Sequence, residues 1–220
     1  MSYQSFSYRT LQGESESLLK DRGSKFLGYS RAVTSENEVD SFLNEIKSIH
    51  PKASHHCYAW RIGNPEPVER ANDDGEPSST AGRPILGQLI KSDITNAMII
   101  VVRYFGGTLL GTSGLIQAYK ACAETVLDNS QIITVVEKET WLIEVDYAIV
   151  HILEEWAPQL GFEILEREHQ AKRMNYRVEI GKRKSLKARR ELIAMLLDCY
   201  PEEVEEGGVE YELFSMKQVR

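Results

Sequence analysis

Residues Asp73 to Gly111 read DDGEPSSTAGRPILGQLIKSDITNAMIIVVRYFGGTLLG, and this stretch decides how the first half of the chain must fold. Asp73, Asp74, Gly75, Glu76 and Pro77 form an acidic turn, with Gly75 free to take positive φ and Pro77 fixing the chain direction. Thr80 is placed to cap a helix with Pro84 in its first turn, where a missing N–H costs little. Ile85, Leu86, Leu89 and Ile90 follow at helical spacing. Ala97 to Val102 is a continuous apolar run, the pattern of a central strand covered on both faces, and it stops at Arg103, Tyr104, Phe105, Gly106 and Gly107.

Outward from this stretch, Lys25 to Val33 reads as a strand. Ser35 with Glu38 makes a capping box for a helix to about Ile49, its inner stripe Val39, Phe42, Leu43 and Ile46. His55 to Ile62 alternates, with His56, Tyr58, Trp60 and Ile62 on one face and His55, Cys57, Ala59 and Arg61 on the other. Gly63 to Asn72 reads as a loop. Beyond Gly111, Ser113 is placed to cap a helix from Gly114 to about Leu127 with Leu115, Ala118, Tyr119, Cys122 and Val126 inward, and Gln131 to Val136 is a strand. The expected order is strand, helix, strand, helix, strand, helix, strand, an α/β layer arrangement.

The pattern restarts at Lys138. Strands are expected at Trp141–Tyr147, Phe162–Gln170, Arg173–Ile180 and Val209–Phe214. One helix is expected around Ile149–Trp156, stopped by Pro158 and Gly161, and another over Ser185–Cys199. The order βαββαβ predicts a ferredoxin-like domain, and two domains, 1–137 and 138–220, are expected.

Gly82, Ile85-Leu86, Leu89, Ile94, Ile100-Val101, Arg103, Tyr104-Phe105, Gly106-Gly107, Leu110 and Gly111 form a pattern that resembles the signature of the YigZ/IMPACT family, once catalogued as an uncharacterised family. The resemblance extends to the Asp73–Pro77 loop, to Lys25-Phe26-Leu27-Gly28 and to His55–Ala59, and with the later segments it covers nearly the whole chain. The family pattern has glycine where this chain has Ser79 and asparagine where it has His56. The resemblance implies a first domain like the second domain of small-subunit ribosomal protein five, with a left-handed βαβ crossover. It implies a second domain similar to the last domain of elongation factor G. Eukaryotic members of the family regulate translation by competing for a partner of a translation-control kinase, and carry a different accessory domain in place of the ferredoxin-like one.

Composition sets bounds. The 220 residues are 42% hydrophobic, enough for one large core or two small ones. No apolar run reaches the eighteen or so residues of a membrane span and MSYQSFSYRT lacks a signal-peptide core, so a cytoplasmic protein without membrane contact is expected. Cys57, Cys122 and Cys199 are odd in number and far apart, which suggests buried apolar residues rather than a disulfide framework or zinc cluster. The net charge of −7 argues against indiscriminate nucleic-acid binding. With 13 basic and 16 acidic residues up to Glu137 and 13 and 17 after it, neither half is basic, so any RNA contact must be local.

Three features carry candidate chemistry. Asp73, Asp74 and Glu76, with His55, His56 and Arg103, offer the donor types of a metal-dependent, peptidase-like hydrolase. Their spacing fits no established metal motif, and the same residues suit a structural turn. The turn from Arg103 through Gly106, Gly107, Gly111 and Ser113 to Gly114 allows close backbone approach and ends in a helix N-terminus. It can take an anion or small ligand, or serve only to pack the turn with Arg103 paired to Asp73, Asp74 or Glu76. The run KRKSLKARR, Lys182 to Arg190, has six basic residues in nine. Cations at a helix start oppose the macrodipole, so either a phosphate backbone or the acids Glu202, Glu203, Glu205 and Glu206 compensate, or solvent does. Aromatic residues are not interleaved there, which favours structured RNA over stacked single strands.

The expected function is non-catalytic contact with the ribosome, structured RNA or a translation-associated protein. The expected binding surface is Asp73, Asp74, Gly75, Glu76, Arg103, Tyr104, Phe105, Gly106, Gly107, Gly111 and Ser113, and the expected RNA contacts are Lys182, Arg183, Lys184, Lys187, Arg189 and Arg190. No catalytic residue, metal or cofactor is expected, and no oligomeric state is written in the sequence. The acidic turn and the Arg103–Gly107 turn are expected to meet at one end of the first domain.

Overall fold

Every residue from Ala97 to Arg103 is buried, because the strand they form, β6 (Ala97–Tyr104), has helices on both of its faces. The computed structural model describes residues 6–204 and 210–219, which gather into two compact units, Met1–Val135 and Val136–Arg220.

The first unit contains β1 (Ser7–Gln12), β2 (Glu14–Asp21), β3 (Ser24–Ala32), α1 (Glu36–Ile49), β4 (His55–Ile62), β5 (Val68–Asn72), α2 (Gly82–Lys91), β6, α3 (Gly111–Asp128) and β7 (Gln131–Val136). Its main sheet has the order β2-β3-β6-β4-β5 with every pairing antiparallel. β3 and β4 both oppose β6, so they run parallel to each other, and β3-α1-β4 is a βαβ crossover with β6 between its strands. On one face Ile99, Val101, Cys57, Ala59 and Phe26 pack under α2 and α3. On the other, Met98, Ile100, Val102, Tyr29 and Trp60 pack under Val39, Phe42 and Ile46 of α1.

Three strands lie outside the expected order. In β5 all five residues are exposed, so no apolar rhythm marks this edge strand. In β2 serines and glutamates occupy half of the positions, and its alternation carries little hydrophobic contrast. β1 pairs with β7 in a separate two-stranded sheet and is tied to the rest of the unit by an isolated parallel bridge between Arg9 and Ile94.

Helix starts also shift. The forward half of the α1 capping box forms, with Glu38 N donating to Ser35 Oγ at 3.3 Å, while the Glu38 carboxylate accepts from Thr34 N at 2.6 Å. α2 is preceded by Ala81 rather than capped by Thr80, and α3 begins at Gly111, three residues before the expected start beyond Ser113.

The second unit runs β8 (Lys138–Asp146), a short 3-10 turn, α4 (Val150–Gln159), β9 (Glu163–His169), β10 (Arg173–Gly181), α5 (Lys182–Leu197) and β11 (Phe214–Val219). Its antiparallel order β11-β8-β10-β9 is that of a ferredoxin-like βαββαβ sheet. Trp141, Ile143, Val145, Tyr176, Val178 and Phe214 pack against Leu153, Leu192 and Ile193 of the two helices. The closing strand starts where it was expected to end, since Phe214 and Met216 are the alternating buried residues. Val209, in the expected strand, lies outside the described residues, as do Glu205 and Glu206. α4 continues one residue past Pro158, and α5 begins at Lys182 rather than Ser185. Cys57 and Cys122 are buried, whereas Cys199 is only partly covered. Among the described residues no helix is long and apolar enough to cross a membrane.

Candidate functional site

The acidic turn is built by its own carboxylates. Asp73 Oδ1 accepts from Ala81 N at 3.0 Å and Gly82 N at 2.8 Å, and Oδ2 accepts from Ser79 N at 2.8 Å. These are the free donors before and at the start of α2, so Asp73 caps that helix from eight residues upstream. Asp74 Oδ2 accepts from His56 N at 2.6 Å, and the Asp74 carbonyl is 2.8 Å from His55 Nδ1. Ser79 sits at φ 62°. The left-handed backbone is the reason glycine suits that position. His56 is buried and its Nε2 lies 3.2 Å from the His50 carbonyl.

Glu76 turns inward. Its Oε1 accepts from Arg103 Nη1 at 2.6 Å and from the Tyr119 hydroxyl at 2.7 Å, and lies 3.8 Å from His55 Nε2. Glu76 and Arg103 are 8% and 5% exposed, so this ion pair is formed almost out of water. The guanidinium also reaches Ser24 Oγ at 3.5 Å and lies over the Phe26 and Phe105 rings at 5.5 and 5.6 Å. Behind it, Cys57 Sγ lies 3.3 Å from the Tyr119 hydroxyl and donates to the Asp73 carbonyl at 3.0 Å. Burial pushes both the Cys57 thiol and the Tyr119 phenol well above their ordinary ranges, so neither is an ionised nucleophile at neutral pH. Burial likewise raises Cys122 to about 11.

The acidic turn and the Arg103 turn therefore meet. Beside them opens a cleft of about 540 Å³, lined by Glu76, His55, Arg103, Phe105, Leu109 and Gly111 among others. Its rim is apolar, with Phe105 50% and Leu109 83% exposed. α3 begins there without a side-chain cap. Gly106 is held by contact: a Cβ on it would stand 1.9 Å from the Gly23 carbonyl carbon, so the Phe105–Gly107 turn lies flat on the β2-β3 turn.

The structure divides the expected surface. Glu76, Arg103, Phe105 and Gly111 line the cleft, while Asp73 and Asp74 are taken up by backbone donors and Gly75 shapes the turn at φ 86°. Tyr104 faces the opposite side of the sheet, where its hydroxyl lies 3.0 Å from His50 Nδ1. Ser113 lies exposed in the first turn of α3 and caps nothing. Among the described residues no group of three or more His, Cys, Asp or Glu could hold a metal ion. Tyr119 was read only as part of the α3 core stripe. Its one signal was a hydroxyl within an otherwise apolar face. Ser24 and Gly23 carried no signal.

The basic run is the first half of α5. Lys182 Nζ pairs with Glu137 Oε2 at 2.7 Å, and Lys187 lies 3.6 Å from Glu191. Arg189 is half-buried with its guanidinium 4.1 Å above the Trp141 ring, and burial lowers its pKa. Arg190 is also engaged. Arg183 and Lys184 point outward. Of the six expected RNA contacts, then, two are wholly open and Arg189 is part of the packing.

Comparison with known proteins places these features in context. The Impact N-terminal domain family model matches residues 22–127. The chain is similar to the IMPACT family member YvyE of Bacillus subtilis (strain 168), 35% identical over 173 residues, which is 77% of this chain and 75% of that protein. A crystal structure described only as that of a hypothetical protein matches with a TM-score of 0.62 at 27% identity, over 86% of this chain and 91% of its own. A structure of the two-domain translational regulator Yih1 is 28% identical over 54% of this chain and 48% of its own, with a TM-score of 0.37.

Proposed function

The chain belongs to the IMPACT family, and from that membership we propose a translation-associated regulator that acts by contact rather than catalysis, on the ribosome, its structured RNA or a translation factor. In this reading the two compact units serve as separate domains, 1–137 and 138–220, in a cytoplasmic protein. The observation that carries the non-catalytic part is the fate of the acidic turn. Asp73 and Asp74 hold backbone N–H groups and Glu76 neutralises Arg103, so the carboxylates that suggest hydrolysis are employed in the fold. What the turn leaves outward is a rim, Phe105 and Leu109 beside an uncapped helix start, together with the basic first turns of α5.

Sedimentation of ribosomal particles from cells, with crosslinking, tests this reading. Co-migration with a ribosomal particle is expected, and its absence under crosslinking overturns the reading. Neutralising Arg183, Lys184 and Lys187 together should weaken binding of structured RNA and lower the slope of log affinity against log salt, because each phosphate contact releases counterions.

A further inference from the structure

One end of the first unit's sheet is left uncovered. α1 packs over Tyr29, Trp60, Met98, Ile100 and Val102, while the neighbouring rows on that face remain accessible. Lys20 of β2 stands directly opposite Lys25 of β3, and Lys25 stands opposite Tyr104 of β6. The next row brings Leu18 opposite Leu27. Phe105 follows Tyr104 at the strand end, and these residues line one groove of about 520 Å³ with Gly23 and His50.

Two lysines facing each other across an antiparallel pair are unfavourable on their own account. Among the described residues neither Lys20 nor Lys25 has an acidic partner, nor does Arg22 in the turn between them. Arg22 also takes φ 44°, a left-handed conformation that glycine would hold at less cost. The nearby acids are Asp21, which alternation turns to the other face, and Glu16, one row beyond Leu18 and opposite Tyr29. The fold thus concentrates unpaired positive charge at a place where it gains nothing from it. In the same groove the Phe105 ring is half exposed and the Tyr104 ring is partly so. Contact of Gly106 with Gly23 fixes the aromatic turn against the basic hairpin.

We propose that this open sheet end, Lys20, Arg22, Lys25, Tyr104 and Phe105, binds a single-stranded segment of RNA. The cations would contact phosphates and the two rings would offer stacking faces for bases. A phosphate backbone complements the unpaired cations, and exposed rings beside them distinguish a nucleic-acid strand from an acidic peptide, which needs charge alone. The basic half of α5 lacks that interleaving, and here residues far apart in sequence supply it. The inference rests on the proposed contact with the translation machinery and names a surface for it.

The test uses the intact protein and a labelled, mixed-sequence single-stranded RNA of about twelve nucleotides, read by fluorescence anisotropy. Replacing Lys20 and Lys25 together by Gln should weaken binding about tenfold and lower the salt slope by about 1.4, the release expected from two single-strand phosphate contacts. Phe105→Leu should weaken binding about fivefold or more with the slope unchanged. Arg22→Gly should weaken binding while raising the denaturation midpoint, a pairing of effects that a purely structural residue would not produce. Failure of the wild type to bind the oligonucleotide, or equal binding by all three variants, overturns the proposal. So does displacement of the RNA by poly-glutamate that itself binds more tightly and loses affinity in the same variants, since the surface then takes an acidic protein segment. Ribosome co-sedimentation separates the two failures. If it persists while the oligonucleotide result is negative, this surface is wrong and the contact reading stands; if it too is absent, both fall.

Discussion

Two charge-rich stretches, the acidic Asp73–Glu76 with Arg103 and the basic Lys182–Arg190, meet opposite fates in the fold. In the first, Glu76 and Arg103 are drawn together out of water, with the Tyr119 hydroxyl donating to the same carboxylate oxygen. In the second, Arg183 and Lys184 stay in solvent while Arg189 is packed against Trp141. The difference teaches that a charged side chain reports on function through what surrounds it. A buried pair positions the turn that carries Phe105, whereas exposed cations remain available to a partner.

The sharpest way to break this contrast is to remove one half of the buried pair. Arg103→Met or Glu76→Gln leaves a charge buried without its partner and should cost ~3 to 5 kcal/mol in denaturant unfolding, while the double variant should recover part of that loss. Arg183→Gln with Lys184→Gln, by contrast, should change stability by about 0.5 kcal/mol or less, in the stabilising direction because the helix start loses like-signed charge. Equal effects in the two regions would show that the Glu76–Arg103 pair is not structural.

Next in size is Gly106→Ala, whose Cβ would meet the Gly23 carbonyl carbon at 1.9 Å. Backbone must move on both sides, and a loss of about 3 kcal/mol is expected. Ser79→Gly should act in the opposite sense. Relief of the positive φ outweighs the added chain entropy, raising unfolding stability by about 0.5 to 1 kcal/mol without affecting the Asp73 cap, which uses Ser79's backbone N–H.

The smallest effect concerns pH. Burial holds His50 and His56 below the ordinary imidazole range, so over that interval the unfolded chain binds more protons than the folded one. The corresponding stability is complete above about pH 6.5 and is lost as the pH falls through the lowered folded values. Denaturation midpoints should therefore decline modestly on acidification. His56→Asn, which removes the titrating ring, should flatten that decline, and an unchanged profile would count against a neutral buried His56.

What could be read without coordinates was whatever rests on local rhythm. The strand Ala97–Tyr104 carries seven consecutive buried residues, and α1 and α3 show their inner stripes at helical spacing. The βαββαβ order of the second unit was equally legible, because Arg173–Ile180 alternates strictly and Trp141–Tyr147 does so apart from Leu142. β5 was hidden because an exposed edge strand needs no apolar pattern, and β2 because each of its faces carries one leucine among polar residues. At the site, the meeting of the acidic and Arg103 turns was anticipated, with Glu76 one of three named partners for Arg103, but the choice of Glu76 among the three and Tyr119 as the third member were not. They lie 27 and 43 residues from the groups they bond, and no sequence spacing encodes such a contact. The same holds for the row Lys20, Lys25 and Tyr104, which exists only because β2, β3 and β6 are neighbours in register. By itself the sequence determined the elements with a clear apolar rhythm, the family and the presence of charge, since propensity, period and motif act over a few residues. Only the tertiary structure decided which charges are neutralised and which are left for a partner, because burial and pairing depend on distant segments packing together.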